Sequence, residues 1–171
     1  MAKIGIYGGS FNPIHFGHVG LAEWIVEHTD LDEVWLMVSP NNPLKDKRIL
    51  ADEQERLKQV KTAIAGKKGL VASDFEFHLP RPSYTADTLR ALSHAYPEHI
   101  FSLIIGADNL CILPKWKEYT YILAHYHIFV YPRHGYQIDS VIYKGDIQVL
   151  RDAPYFDISS TEIRNNLQVR K

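Results

Sequence analysis

One cysteine, Cys111, is present in 171 residues, so no disulfide can form within the chain, and a reducing compartment is expected. It lies in the apolar stretch "NLCIL" and is expected to be a buried thiol serving as a small hydrophobe. Charge of one sign is also lacking: 19 basic and 20 acidic side chains leave a formal net charge of −1. No field therefore favours nucleic acid or an anionic membrane surface, and neither is expected as a partner. No run of about 18 apolar residues exists, which excludes a membrane-spanning helix. The N-terminal "MAKIGIYGG" has only a short apolar run and does not resemble a signal peptide, so the cytoplasm is the expected setting. Internal repeats, low-complexity tracts and long Pro/Gly/Ser linkers are missing too. With 46% hydrophobic residues, one domain over 1–171 with a full-sized core is expected.

What is present alternates between two periods. "KIGIY" is a β-branched run ending in glycines, and a helical stretch follows from about Gly17 to His28, with Val19, Ala22 and Val26 on one face. "VWLMVS" (Val34 to Ser39) suits a strand buried on both faces, and "NNPLKDKR" a polar loop. Asp52 and Glu55 have capping spacing for a helix continued by Leu57, Val60 and Ile64. "LVASDFEFHL" alternates like a half-exposed strand, and "SYTADTLRALSHAY" reads as a helix with Leu89, Leu92 and Tyr96 inward. The strand "IFSLIIG", the helix "KWKEYTYILA", the strand "HIFVYPR" and a short strand in "IQVLRD" follow. "ISSTEIRNNL" closes as a helix, with Ser159 and Glu162 at capping-box spacing. The expected fold is α/β and doubly wound, a mostly parallel sheet with helices on both faces. Ligands in such sheets sit beyond the carboxyl ends of the strands, where strand order reverses. "GGSFNPIHFGH", "GAD" and "PRHG" all fall directly after strands.

The first of these stretches carries the most chemistry. Gly8, Gly9 and Ser10 suit a turn with positive φ that presents bare N–H groups, and the helix starting near Gly17 points its N-terminus at the same place. Together they form half of a phosphate site, although neither common glycine fingerprint is present. His15 and His18, three apart at the helix mouth, can face the same way. As imidazolium, or as neutral imidazole donating through one nitrogen, they could hold phosphoryl oxygens. The plainer alternative is that one caps the turn and the other packs. No carboxylate or cysteine at matching spacing completes a metal shell, so no protein-held metal is expected.

Gly9-Ser10-Phe11-Asn12-Pro13-Ile14-His15-Phe16-Gly17-His18 resembles the first signature of the HxGH nucleotidylyltransferase superfamily, and Ile158-Ser159-Ser160-Thr161-Glu162-Ile163-Arg164 resembles its second. Within the superfamily the chain is most similar to bacterial nicotinate-nucleotide adenylyltransferases, a likeness supported by "PSYTADTL", "IIGADNL" and "KWKEY". The resemblance implies a Rossmann-like nucleotidylyltransferase fold. It also implies transfer of the adenylyl group of ATP to nicotinate mononucleotide, giving deamido-NAD and pyrophosphate in NAD biosynthesis, with Mg²⁺ arriving on the ATP. It implies that Gly8, Gly9, Ser10, Phe11, Ser159 and Thr161 belong to the ATP site and that His15 and His18 contact its phosphates. Ser160 and Arg164 would hold the departing pyrophosphate, and Lys45 would close over the phosphates as a mobile cation that also meets the mononucleotide. Gly106 would let the adenosine approach, and Asp108 would accept from the ribose. Trp116 is the candidate to stack on the pyridine ring, and Thr85 to offer backbone donors to the nicotinate carboxylate. Arg133 could reach a phosphate.

The sequence departs from the family pattern in three places. Position 12 is Asn where many relatives have Asp, and Leu44 precedes Lys45 where the family often has histidine. Relatives usually continue into a further C-terminal helix beyond "NNLQVRK". A phosphopantetheine adenylyltransferase shares both signatures but usually has Thr at the place of His15. A catalytically silent nucleotide-binding module is the rival from another class. Oligomeric state, including a homo-oligomer, stays open, as does the preference for acid over amide on the pyridine ring.

Overall fold

Strand β1 (Lys3–Gly9) lies in the middle of a six-stranded sheet whose pairings are all parallel. The structure is a computed structural model that describes residues 1–40, 52–137 and 143–155. Helix α1 (Phe16–His28) leads to β2 (Glu33–Val38), and α2 (Glu53–Ile64) leads to β3 (Leu70–Ser73). Helix α3 (Thr85–Ala95), β4 (Ile100–Gly106) and the short α4 (Ala107–Cys111) follow. Then come α5 (Tyr119–His125), β5 (His127–Tyr131) and β6 (Ile147–Val149). The strand order is β3-β2-β1-β4-β5-β6, so the direction of winding reverses between β1 and β4.

Side chains alternate across this sheet because successive residues of a strand point to opposite faces. Phe101, Leu103 and Ile105 of β4 join one buried cluster with Leu89 and Leu92 of α3 and Ile122 of α5. Ile104, between them, faces the other way and packs with Leu21 and Ile25 of α1 and Leu57 and Val60 of α2. Helices therefore cover both faces, as the alternation of strands and helices requires. Inside α1 the buried residues are Gly17, Val19, Leu21, Ala22 and Ile25, whereas Val26 is only half-buried.

Three expectations are corrected. The strand expected through "LVASDFEFHL" stops at Ser73 and is followed by a 3₁₀ turn, Phe75–His78. Ser73 Oγ accepts from the Phe75 N–H at 3.2 Å, and Phe77 N–H donates to the Asp74 carbonyl at 2.8 Å, so local bonds outcompete the ladder. The helix expected through "KWKEYTYILA" is interrupted: a 3₁₀ turn spans Leu113–Lys115, Trp116 is extended, and Glu118 adopts a left-handed conformation before α5 begins. Cys111 is exposed at the end of α4, where a short helix leaves one side uncovered.

Candidate active site

The reversal between β1 and β4 opens a crevice at the carboxyl ends of the strands, the place where open α/β sheets bind ligands. A cavity of about 410 Å³ fills it. Gly8, Gly9 and Ser10 line it from β1, Ser39 from beyond β2, and Tyr131 from the end of β5. Ser83 and Thr85 enter from the start of α3, and Trp116 from the loop before α5. The glycine stretch and the two residues expected at the pyridine end thus share one space. Gly106, Asp108, His15, His18 and Arg133 are not among its lining residues.

Gly8 and Gly9 end β1 in extended backbone; positive φ falls on Phe11 instead, at +49°. That conformation is unfavourable for a bulky side chain and is held here by packing. The Phe11 ring is 2% exposed, edge-on to Tyr7 at 5.6 Å and to His18 at 5.0 Å between centroids. Its side chain is therefore core beneath the loop, and only its backbone could serve a ligand. Asn12 is buried beside it.

His15 and His18 cap α1 reciprocally. His15 Nδ1 accepts from the Gly17 N–H at 3.0 Å, and His18 Nδ1 accepts from the His15 N–H at 3.1 Å. Both rings therefore cap through Nδ1, where the plainer alternative has one capping and the other packing. This capping decides the chemistry of the second ring nitrogen, because a neutral ring that accepts at Nδ1 carries its proton at Nε2. The rings stack at 3.8 Å, 25° from parallel. Burial, then the neighbouring His15 and Arg133, holds the His18 imidazolium down to about 3, so His18 is a neutral donor and not a cation. Arg133 is exposed after β5, near enough to be felt by His18 and Tyr131.

Gly106 caps α4, and a Cβ there would lie 2.5 Å from Asp108 Oδ1 and 3.0 Å from the Tyr131 ring. Only glycine leaves Asp108 its place. Asp108 Oδ1 is buried without a hydrogen-bond partner, an acceptor that the fold itself does not use. Thr85 is the first residue of α3, and Tyr84 occupies the cap position without a side-chain bond. Lys117 pairs with Asp87 at 3.1 Å and lies over the Tyr84 ring at 4.8 Å, while Arg90 bridges Asp87 at 3.2 Å and Glu118 at 3.1 Å. These contacts fasten the Trp116 loop to the start of α3, one wall of the cavity to the other. Lys45, Ser159, Ser160, Thr161 and Arg164 lie outside the described residues.

Among the lining residues that sequence reasoning missed, three carry polar side chains turned to the fold's own bonding or left without it. Arg56 is 0% exposed, and its Nη1 donates to the Ser10 carbonyl at 2.8 Å. The signal was there: a cation on the inward stripe of α2, four residues before Val60. Glu76 accepts from Thr88 Oγ1 at 2.6 Å, and burial pushes its carboxyl up. Ser83 Oγ is buried without a partner. Nothing in the sequence marks these last two, which depend on the unforeseen turn before α3.

A parallel sheet that reverses beside a glycine loop, with imidazole donors at the mouth of the next helix, defines a class, the Rossmann-like nucleotidyltransferases. Known proteins narrow it. The cytidylyltransferase-like family profile matches residues 6–166. A Bacteroides fragilis protein named "Probable nicotinate-nucleotide adenylyltransferase" is 48% identical over 169 residues, covering 99% of this chain and 84% of the relative. One of the same name from Flavobacterium johnsoniae is 46% identical, covering 99% and 88%. The solved structure of Plasmodium falciparum nicotinic acid mononucleotide adenylyltransferase complexed with NaAD superposes with a TM-score of 0.80 at 22% identity, covering 96% of this chain and 83% of that one, and so shares the fold. The chain belongs to the nicotinate-nucleotide adenylyltransferases of the cytidylyltransferase-like family.

Proposed function

We propose that this protein transfers the adenylyl group of ATP to nicotinate mononucleotide, releasing pyrophosphate and forming deamido-NAD. The observation that carries the reading is the cavity itself, which joins a glycine loop at the sheet's reversal to Thr85 and Trp116. Such a space takes a nucleotide phosphate at one end and an aromatic ring at the other. A phosphate oxygen of the mononucleotide attacks the α-phosphorus; the bond to the bridging oxygen breaks, and pyrophosphate leaves with the electron pair. No protein nucleophile takes part, so the chain's work is to position both reactants and to stabilise charge.

His18 and His15 supply Nε2–H groups at the mouth of α1, preorganised by their caps. Asp108 Oδ1 accepts from a ribose hydroxyl, which provides its missing partner. Trp116 stacks on the pyridine ring, and the first N–H groups of α3, at Thr85, receive its carboxylate. Ser160 and Arg164 hold the leaving pyrophosphate, with Lys45 closing over the phosphates and Arg133 reaching one of them. Mg²⁺ travels on the triphosphate. Such an ion would be held chiefly by phosphate oxygens and water.

The test measures pyrophosphate release from ATP and Mg²⁺ with nicotinate mononucleotide, nicotinamide mononucleotide or phosphopantetheine in parallel. Nicotinate mononucleotide is expected to be fastest. Faster turnover of phosphopantetheine, or none with any acceptor, overturns the reading.

A further inference from the structure

Helix α2 turns Leu57, Val60 and Ile64 into the core, and Arg56 lies on the same inward side, 0% exposed. Removing a guanidinium from water is costly, and the charges of Glu53 and Asp52 at the start of the same helix offset only part of that cost. Packing alone therefore gives no reason for an arginine here. Its Nη1 instead reaches across 46 residues of chain to the Ser10 carbonyl, at 2.8 Å, on the wall of the cavity. A trans peptide is planar, so fixing the Ser10 oxygen fixes the whole Ser10–Phe11 peptide. That peptide leads into Phe11, the residue bent into the left-handed region at φ +49°. The preceding carbonyl is tied as well, since Ser39 N–H donates to the Gly9 oxygen at 2.9 Å.

We propose that Arg56 is a positioning residue for adenylyl transfer, which acts through the Ser10 carbonyl to hold the glycine-loop peptides in the orientation that receives phosphate. It rests on the reading of the site as an adenylyltransferase. A guanidinium suits the task because its donors lie in a rigid plane, whereas an ammonium on a flexible stem fixes no direction.

Three variants test the proposal by thermal unfolding and by steady-state pyrophosphate release. Arg56→Met fills the space without a donor. It is expected to lower the melting temperature by several degrees, and to lose about 100-fold in kcat per folded molecule, the scale of one misplaced oxyanion donor, with little change in KM for the mononucleotide. Arg56→Lys is expected to recover only part of that loss. Arg56→Ala is expected to be rescued by millimolar guanidinium, which leaves the wild type unaffected, and this arm stands even if Arg56→Met does not fold. An Arg56→Met variant as active as wild type overturns the proposal. So does activity that falls only with the folded fraction and is not restored by lysine or guanidinium. A wild type without pyrophosphate release fails the broader reading instead, so the two failures are distinct.

Discussion

His18 carries its proton on Nε2 because the His15 amide occupies Nδ1, and burial keeps the ring neutral. A donor fixed in this way suits the transition-state role proposed for it. His18→Ala is expected to lower kcat by about 10²- to 10³-fold with little change in KM for ATP. A loss confined to ATP affinity would remove the role. The protonation state is open to ring-nitrogen NMR, with a neutral Nε2–H tautomer expected at pH 5. The sign follows from a folded-state value near 3 against an ordinary 6.5. The neutral ring's contribution to stability is complete above 6.5 and drains away as pH falls toward 3. An imidazolium spectrum at pH 6 would overturn this. The spacing of the two histidines was legible in the sequence. Their tautomer was not, because it depends on which backbone amide each Nδ1 meets.

The start of α3 shows how a helix end becomes a cavity wall. Thr88 is 1% exposed, and its hydroxyl donates to Glu76 at 2.6 Å, tying the 3₁₀ turn to the helix. Thr88→Val keeps the shape and removes the donor that favours the Glu76 carboxylate. The expected cost is about 1–3 kcal/mol, read from denaturant unfolding. Burial has raised Glu76 above its ordinary 4.5, so its contribution to stability is full below 4.5 and is lost as pH rises through the raised value. The penalty in Thr88→Val is therefore expected to be larger at pH 8 than at pH 4.5, and an equal penalty at both would contradict the pairing. Strands and long helices were legible at this scale because β1 and β4 are apolar runs ending in glycine and α3 carries Leu89 and Leu92 at helical spacing. The turn Phe75–His78 and the loop at Trp116 were not, since side-chain bonds and ion pairs to α3 decide them.

Across the whole molecule, β1 is central, while β3 and β6, at the two edges, are four and three residues long. Hydrogen exchange is expected to be slowest in β1 and β4 and faster at both edges, because edge strands open locally and central ones only with global unfolding. Equal protection throughout would mean that the sheet opens as one unit. The parallel order and the position of the crevice were legible from alternation alone, because the rule for open sheets needs only topology. The Arg56 tie was not, since it joins residues far apart in the chain. Cys111 is exposed at the end of α4, five residues past Gly106, and it is the only cysteine in the sequence. A maleimide fluorophore is therefore expected to attach at one known point, two residues past Asn109 on the cavity lining, giving a native optical handle on ligand arrival.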